Sequence, residues 1–276
     1  MNIDDFMQIV WSYYSSNKRS MPWRNAKPDG SFDPYNIMVS EVMLQQTQVS
    51  RVLEKYRLFL DQFPTVQTLA DAPLSDVLRL WQGLGYNRRA KFLHQAAQKI
   101  VTEFGGEFPV DKTLLTTLPG IGVNTAGAML AYAYNEPVVF IETNIRTVFI
   151  HHFFADHENI ADAQLLPILQ RCIDSIESEK EGYGVREWYW ALMDYGSFLK
   201  RSVGNKSRSS QAYTKQSKFA GSRRQIRGLV LRALAEDDAS LESLKTKISD
   251  ERLLSVLDDL VKEQLINIED NRYFIA

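Results

Sequence analysis

Leu118–Leu130 reads "LPGIGVNTAGAML". Two glycines, Gly120 and Gly122, stand one residue apart between two runs of helix-forming residues, "DKTLLTTL" before them and "VNTAGAMLAYAY" after. The spacing predicts two short helices joined by a tight turn, with backbone N–H groups of the turn and of the second helix pointing outward. Together with the helix dipole they form a neutral seat for a phosphate. Glycine suits both positions because a Cβ would obstruct close approach of a ligand to the backbone.

Working outward, "WQGLGYNRRAKFL" (81–93) carries a second Gly-x-Gly turn, Gly83 and Gly85, followed by Arg88, Arg89 and Lys91. Two such turns in a helical chain raise the expectation of duplex-backbone binding. Almost everything before residue 200 has helical periodicity. "VMLQQTQVSRVLEKYRLFLDQF" places Val42, Val49, Val52, Leu53, Tyr56 and Leu60 near one face, and Pro64 closes it. "PTVQTLADAP" reads as a short helix between prolines, "NRRAKFLHQAAQKIVTEFGG" as an amphipathic helix stopped by Gly105 and Gly106. Further helices fit 142–154, 161–176 and 184–199. The segment 201–222 is rich in Ser, Gly and Lys without apolar period, and reads as a linker or extended arm. Beyond it, three helical stretches precede "LINIED" and "NRYFIA", which alternate around an Asp-Asn turn as a small hairpin. Three helices and a two-stranded wing make a winged-helix pattern, a module that binds DNA or protein, or packs on its neighbour.

The charge distribution is uneven. The chain has 276 residues and a net charge of −2. Yet Lys200–Arg227 holds nine basic residues and no acidic one, while the stretch from Leu231 onward holds six basic and eleven acidic. A basic belt ahead of an acidic module suggests a phosphate-facing segment or a solvated linker. Hydrophobic and charged fractions, 45% and 24%, are those of a soluble globular protein. There is no run of 18 apolar residues and no basic-then-apolar leader, so neither a membrane span nor a secretory signal is expected. The single cysteine, Cys172, permits no intrachain disulfide and no cysteine-ligated cluster or zinc site. A reducing, cytoplasmic setting and no metal or cofactor are the corresponding expectations.

The stretches "SEVMLQQTQVSRV", "FPTVQTLADA", "GLGYNRRAKFLHQAA", "GGEFP", "LPGIGVNTAGAML" and "ALMDYG" together resemble the helix–hairpin–helix DNA glycosylases, most closely the MutY-type adenine glycosylases, over roughly residues 6–199. The resemblance implies two helical subdomains with the active site in the cleft between them and the target base flipped out of the duplex. It implies that Glu41, the glutamate of "SEVMLQQT", protonates the ring of the departing adenine, because a neutral adenine leaves poorly without a general acid. The deoxyribose then gains oxocarbenium character and calls for a second carboxylate. The family's aspartate stretch aligns with "IETNI", which puts Glu142 in that place and Asn144 beside it. The bare alternatives are a first-turn helix charge for Glu41 and a helix-start charge for Glu142. Trp23 and Arg24 of "MPWR" align with the base pocket, or else with core packing and a surface ion pair. Tyr86 aligns with the residue that wedges into the stack, Gln46 and Thr47 with the edge that meets the opposite strand. Gly83, Gly85, Arg88, Gly120, Gly122 and Thr125 align with the phosphate seats.

The chain also departs from the family. Glu142 is one methylene longer than aspartate. The second hairpin carries Asn124 where strand-cleaving members carry a Schiff-base lysine, so base removal without β-elimination is expected. Where four cysteines hold an iron–sulfur cluster in the family, this chain has Lys200, Ser207, Ser210 and Gln216. From Gly221 only 56 residues follow, fewer than the domain that reads 8-oxoguanine in MutY-type enzymes, so opposite-base recognition is expected to rest on the helical domain. Trp190 stands where a polar base-contacting residue is usual, and is expected to stack on the base.

These readings combine into an all-α protein of two glycosylase subdomains (1–199), a basic arm (200–222) and a small α+β winged-helix domain (223–276). The expected function is monofunctional excision of adenine opposite guanine or 8-oxoguanine, by a monomer acting on mismatched or damaged double-stranded DNA. Excision of thymine, uracil or a deaminated purine stays open, as does a non-catalytic DNA-binding role.

Overall fold

The computed structural model describes residues 1–178 and 183–276. Helices α1 (Ile3–Asn17), α2 (Pro34–Leu44), α3 (Val49–Gln62), α4 (Val66–Asp71), α5 (Leu74–Leu80) and α6 (Arg88–Phe104) follow one another, with a single 3-10 turn at Pro22–Arg24. The hairpin of α7 (Lys112–Thr116) and α8 (Val123–Tyr134) comes next, then α9 (Thr143–Phe153), α10 (Asp162–Ser178) and α11 (Val185–Ser202). The C-terminal part adds α12 (Arg223–Glu236), β1 (Ala239–Ser240), α13 (Leu241–Lys247), α14 (Leu253–Lys262), β2 (Ile266–Glu269) and β3 (Arg272–Ile275). None of the described helices is long and apolar enough to cross a membrane.

The chain divides into two compact units. The first holds residues 1–37, 110–116 and 122–215. Its core is aromatic: Phe6 meets Phe149, Phe153 and Trp188 edge-on, with ring centroids 5.0 to 6.0 Å apart. Helix α9 lies close against α11 because Gly196 of "ALMDYG" has no side chain, and Gly127 of α8 makes room in the same way for Phe140. The sole cysteine, Cys172, is fully buried in α10.

The second unit holds residues 38–109, 117–121 and 216–276. Val52 and Tyr56 of α3 point inward as the sequence predicts, Leu53 is exposed instead, and the buried Phe59 meets Trp81 edge-on. A Thr65–Thr68 capping box starts α4 between its two prolines. The winged helix belongs to this unit. Its α12 and α14 bury Val230, Leu231, Leu257 and Leu260, and α12 and β3 lie against α5. Lys91 of α6 docks the far end, donating to the Glu263 carbonyl at 2.7 Å and to the Gln264 side chain at 2.8 Å.

Three readings of the sequence change. The single helix expected from Val42 to Pro64 is two, because residues 45–48 break it between α2 and α3 with Gln46 at positive φ. The wing has three strands, ordered β1-β3-β2, because Ala239–Ser240 pairs with Arg272–Tyr273 beyond the predicted hairpin. The Asp270–Asn271 turn of that hairpin is as expected, with both residues at positive φ. The expected arm is folded over its first half. Residues 200–202 finish α11, Lys206–Ser209 form a 3-10 turn, and Ser210 bridges to Ile160. Serine and asparagine hydroxyl and amide groups supply the hydrogen bonds that an apolar period would otherwise have signalled. Residues 211–221 are irregular and exposed.

Candidate functional site

In the first unit the site gathers at the start of α9. Glu142 is the N-cap residue, with φ −112° and ψ 172°, and its side chain makes no capping hydrogen bond. Burial pushes its carboxyl above the ordinary value, against the smaller downward pull of Arg146 and Lys200. Asn144 is gripped from α11 on both sides: its Nδ2 donates to the Met193 carbonyl at 3.1 Å, and Lys200 Nζ donates to its Oδ1 at 2.6 Å. The absent side chain of Gly196 allows this approach, since a Cβ there would lie 2.3 Å from the Asn144 carbonyl oxygen. The Arg146 charge is engaged by Asp162 through two bonds of 2.7 Å. Burial, and then Arg146, lower the Lys200 amine to about 8, with Glu142 pulling the other way.

Asn124 does not point to chemistry of its own here. Its Oδ1 accepts the Ile141 backbone N–H at 3.3 Å, which ties the first turn of α8 to the strand of chain leading into Glu142. Trp23 is buried, and Arg24 and Trp190 pack on each other. Arg24 holds Asp194 through two bonds of 2.9 Å, and Arg19 shares the same carboxylate at 2.7 Å. Asp194 is buried, so the alternative of a surface ion pair for Arg24 does not hold. The Arg24 guanidinium lies 5.4 Å over the Trp190 ring, which stacks on Tyr132 and meets Phe32 edge-on. Trp190 is thereby a wall fixed by two aromatic neighbours, 7% exposed.

Glu41 belongs to the second unit. It is half-buried in the last turn of α2, which has no acidic residue in its first turn. The first-turn alternative therefore fails: at this end of a helix the dipole disfavours a carboxylate. Gln46 and Tyr86, at φ 55° and 48°, are non-glycine residues in the left-handed region. Such a conformation at an exposed loop is a strained placement that concentrates at functional sites. Gly83, Gly85 and Gly120 also have positive φ, 94°, 73° and 77°. At Gly120 a Cβ would additionally meet Phe92 at 2.8 Å, whereas the space before Gly122 is open and its φ is ordinary. Gly122 opens α8 without a side-chain cap and the adjoining Val123 is 63% exposed, which leaves that helix end accessible. Thr125 is buried in the following turn. Arg88 is exposed and stacks over Phe92 at 5.4 Å.

Arg89 was not singled out by sequence reasoning, yet it holds these loops of the second unit together. Its Nη1 donates to the carbonyls of Val42, Met43 and Gln45 at 2.7, 2.9 and 2.7 Å. Its Nη2 donates to Thr47 Oγ1 at 2.9 Å and to the carbonyls of Leu84 and Gly85 at 3.2 and 2.9 Å. One buried guanidinium thus caps the C-terminus of the helix bearing Glu41 and ties it to the "GLGY" turn. Burial lowers its pKa to about 10. Thr47 serves this scaffold as an acceptor. An arginine three residues after Tyr86 was visible in the sequence, but nothing distinguished it from its neighbour Arg88.

The positions aligned with cluster cysteines do not fit a cluster. Lys200 holds Asn144, Ser207 Oγ donates to Asn205 at 2.6 Å, Ser210 Oγ accepts the Ala212 N–H at 3.1 Å, and Gln216 donates to Gln46 at 2.7 Å.

Comparison with known proteins agrees with this architecture. Residues 39–170 match the family HhH-GPD superfamily base excision DNA repair protein. The chain is 34% identical over 195 residues to the adenine DNA glycosylase of Buchnera aphidicola subsp. Baizongia pistaciae, covering 70% of this chain and 52% of that protein. It is 44% identical over 137 residues to the adenine DNA glycosylase of Mycolicibacterium smegmatis, covering 50% of this chain and 45% of that one. The chain thus spans about half the length of these curated relatives. A solved thermostable thymine-DNA glycosylase has the same fold, with TM-score 0.61 and 21% identity, over 74% of this chain and 90% of that one.

Proposed function

We propose that this chain, whose residues 39–170 match the HhH-GPD superfamily of base excision DNA repair proteins, is a monofunctional DNA glycosylase that removes adenine mispaired with guanine or 8-oxoguanine. The observation that carries this reading is Glu142: a carboxylate at a helix start that forgoes capping and lies beside an Asn144 locked in place by α11. A helix-start charge with only a surface role would not carry the burial that raises this carboxyl. Glu41 donates a proton to the ring of the departing adenine, and the C1′–N9 bond breaks with its electron pair leaving on the base. Glu142, ionised, stabilises the sugar cation and accepts the proton of the attacking water. Asn124 has no amine to offer, so the product is an intact abasic strand.

The test is base release from a panel of mismatched and lesion-bearing duplexes, with and without alkali. Strand breaks seen only after alkali, and only with adenine in the target position, are the expected result. Glu41→Gln abolishes release while duplex affinity stays near the parent's. Loss of affinity in parallel with activity would remove Glu41 from the chemistry. Release of thymine or uracil would replace adenine as the substrate.

A further inference from the structure

Within the second unit a cavity of about 510 Å³ is lined by Gln46, Tyr86, Arg88, Phe92 and Gly120, and by Arg224 and Arg227 of the winged helix. Its size is that of a small-ligand site. The winged module touches one left-handed residue at its rim, and the arm before it touches the other. Arg224 donates to the Tyr86 hydroxyl and lies 5.4 Å over its ring, while Gln216 donates to Gln46 at 2.7 Å. Of the three arginines that open α12, Arg223 pairs with Asp259 and Arg227 with Glu263. Arg224 has no carboxylate partner among the described residues, and its other acceptors are the Ser217 carbonyl at 2.6 Å and the Ser217 hydroxyl at 3.3 Å. Its guanidinium fork is held by a phenol, a peptide oxygen and a serine hydroxyl, neutral acceptors that a better pair can displace.

We infer that this cavity receives the base opposite the excised one and that Arg224 selects guanine there, with Tyr86 as the stacking surface. The inference rests on the proposed glycosylase function. A guanidinium fork matches the O6 and N7 acceptors of guanine, whereas cytosine presents a donor and thymine a single acceptor on that edge. An aromatic ring beside it supports any base by stacking. Oxidation of guanine at C8 places a hydrogen on N7 and removes one of the two acceptors, so Arg224 favours guanine over 8-oxoguanine. The winged helix then acts as a specificity element.

The experiment is equilibrium binding of the full chain to duplexes bearing a tetrahydrofuran abasic analogue opposite guanine, 7-deazaguanine, 8-oxoguanine or cytosine, over a salt series. The parent is expected to prefer guanine over 7-deazaguanine and cytosine by about tenfold or more, the worth of one bidentate contact. Arg224→Ala is expected to erase that preference, Arg224→Lys to restore only part of it, and Arg232→Ala, which removes an exposed charge from the same helix, to keep it whole. A uniform loss across all four duplexes with a shallower salt slope would make Arg224 a phosphate contact and overturn the inference. So would a uniform gain, which would make it a latch on Tyr86, or no change at all. Binding does not depend on base release, so a parent that binds with guanine preference but releases nothing would refute the glycosylase reading and not this one.

Discussion

Gly196→Ala probes the site without touching a functional side chain. The new methyl would stand 2.3 Å from the Asn144 carbonyl oxygen, 2.8 Å from its carbon and 3.0 Å from its Cα. An ordinary carbon–oxygen contact is about 3.3 Å at closest, so the start of α9 must retreat by about 1 Å. The contact is backbone, with no flexible side chain to yield. A displacement of that size at a reacting group costs on the order of a hundredfold in rate, and the overpacking costs about 1–3 kcal/mol of stability. Gly228→Ala is the internal contrast: it lies in α12 with nothing within 4 Å, and is expected to gain about 0.4–1 kcal/mol. Single-turnover base release and thermal melting of both variants check the reasoning. A Gly196→Ala protein that melts like the parent and releases base at the parent's rate would refute the claim that α11 positions Glu142 and Asn144 by close backbone contact.

Two further outcomes follow from buried ionisable groups. The folded carboxyl of Glu142 titrates above its unfolded value of 4.5, so the fold's stability is favoured below that pH and declines as pH rises through the folded value. Glu142→Gln escapes the decline, and its melting temperature relative to the parent's should rise from pH 4 to pH 8 while base release is lost; a relative gain that is larger at pH 4 would contradict the sign. Arg89→Lys, which replaces a fork that reaches six acceptors with one ammonium, should destabilise by about 3 kcal/mol, since a buried charge loses its pairing. Urea denaturation measures it, and a cost under about 1 kcal/mol would show that the six bonds do not hold the two loops.

The hairpin, the helices and the wing were legible because each rests on local rules. Glycine spacing, capping and periodicity act within about ten residues, and α3, α4 and the Asp270–Asn271 turn all follow them. What escaped is tertiary. Arg89 differs from Arg88 only in which way its side chain points, and its six partners lie up to 47 residues away. Trp190 read as a surface for the base, but Tyr132 and Phe32, distant in sequence, hold it as a wall. Lys200 read as part of a basic belt, although it is the clamp on Asn144. The charge count suggested a phosphate-facing arm without revealing that Arg223 and Arg227 are spent on Asp259 of α14 and on Glu263 that caps it.

The segment that closes after α11 is fastened by hydroxyls, amides and one bridge to Ile160. The one thiol of the chain, Cys172, is buried, and desolvation pushes it up to about 12, so at neutral pH it has almost no thiolate to react. Peroxide would therefore find no nucleophilic thiolate at Cys172. In its one cysteine this chain is inert to the agent that turns guanine into the base Arg224 is inferred to disfavour.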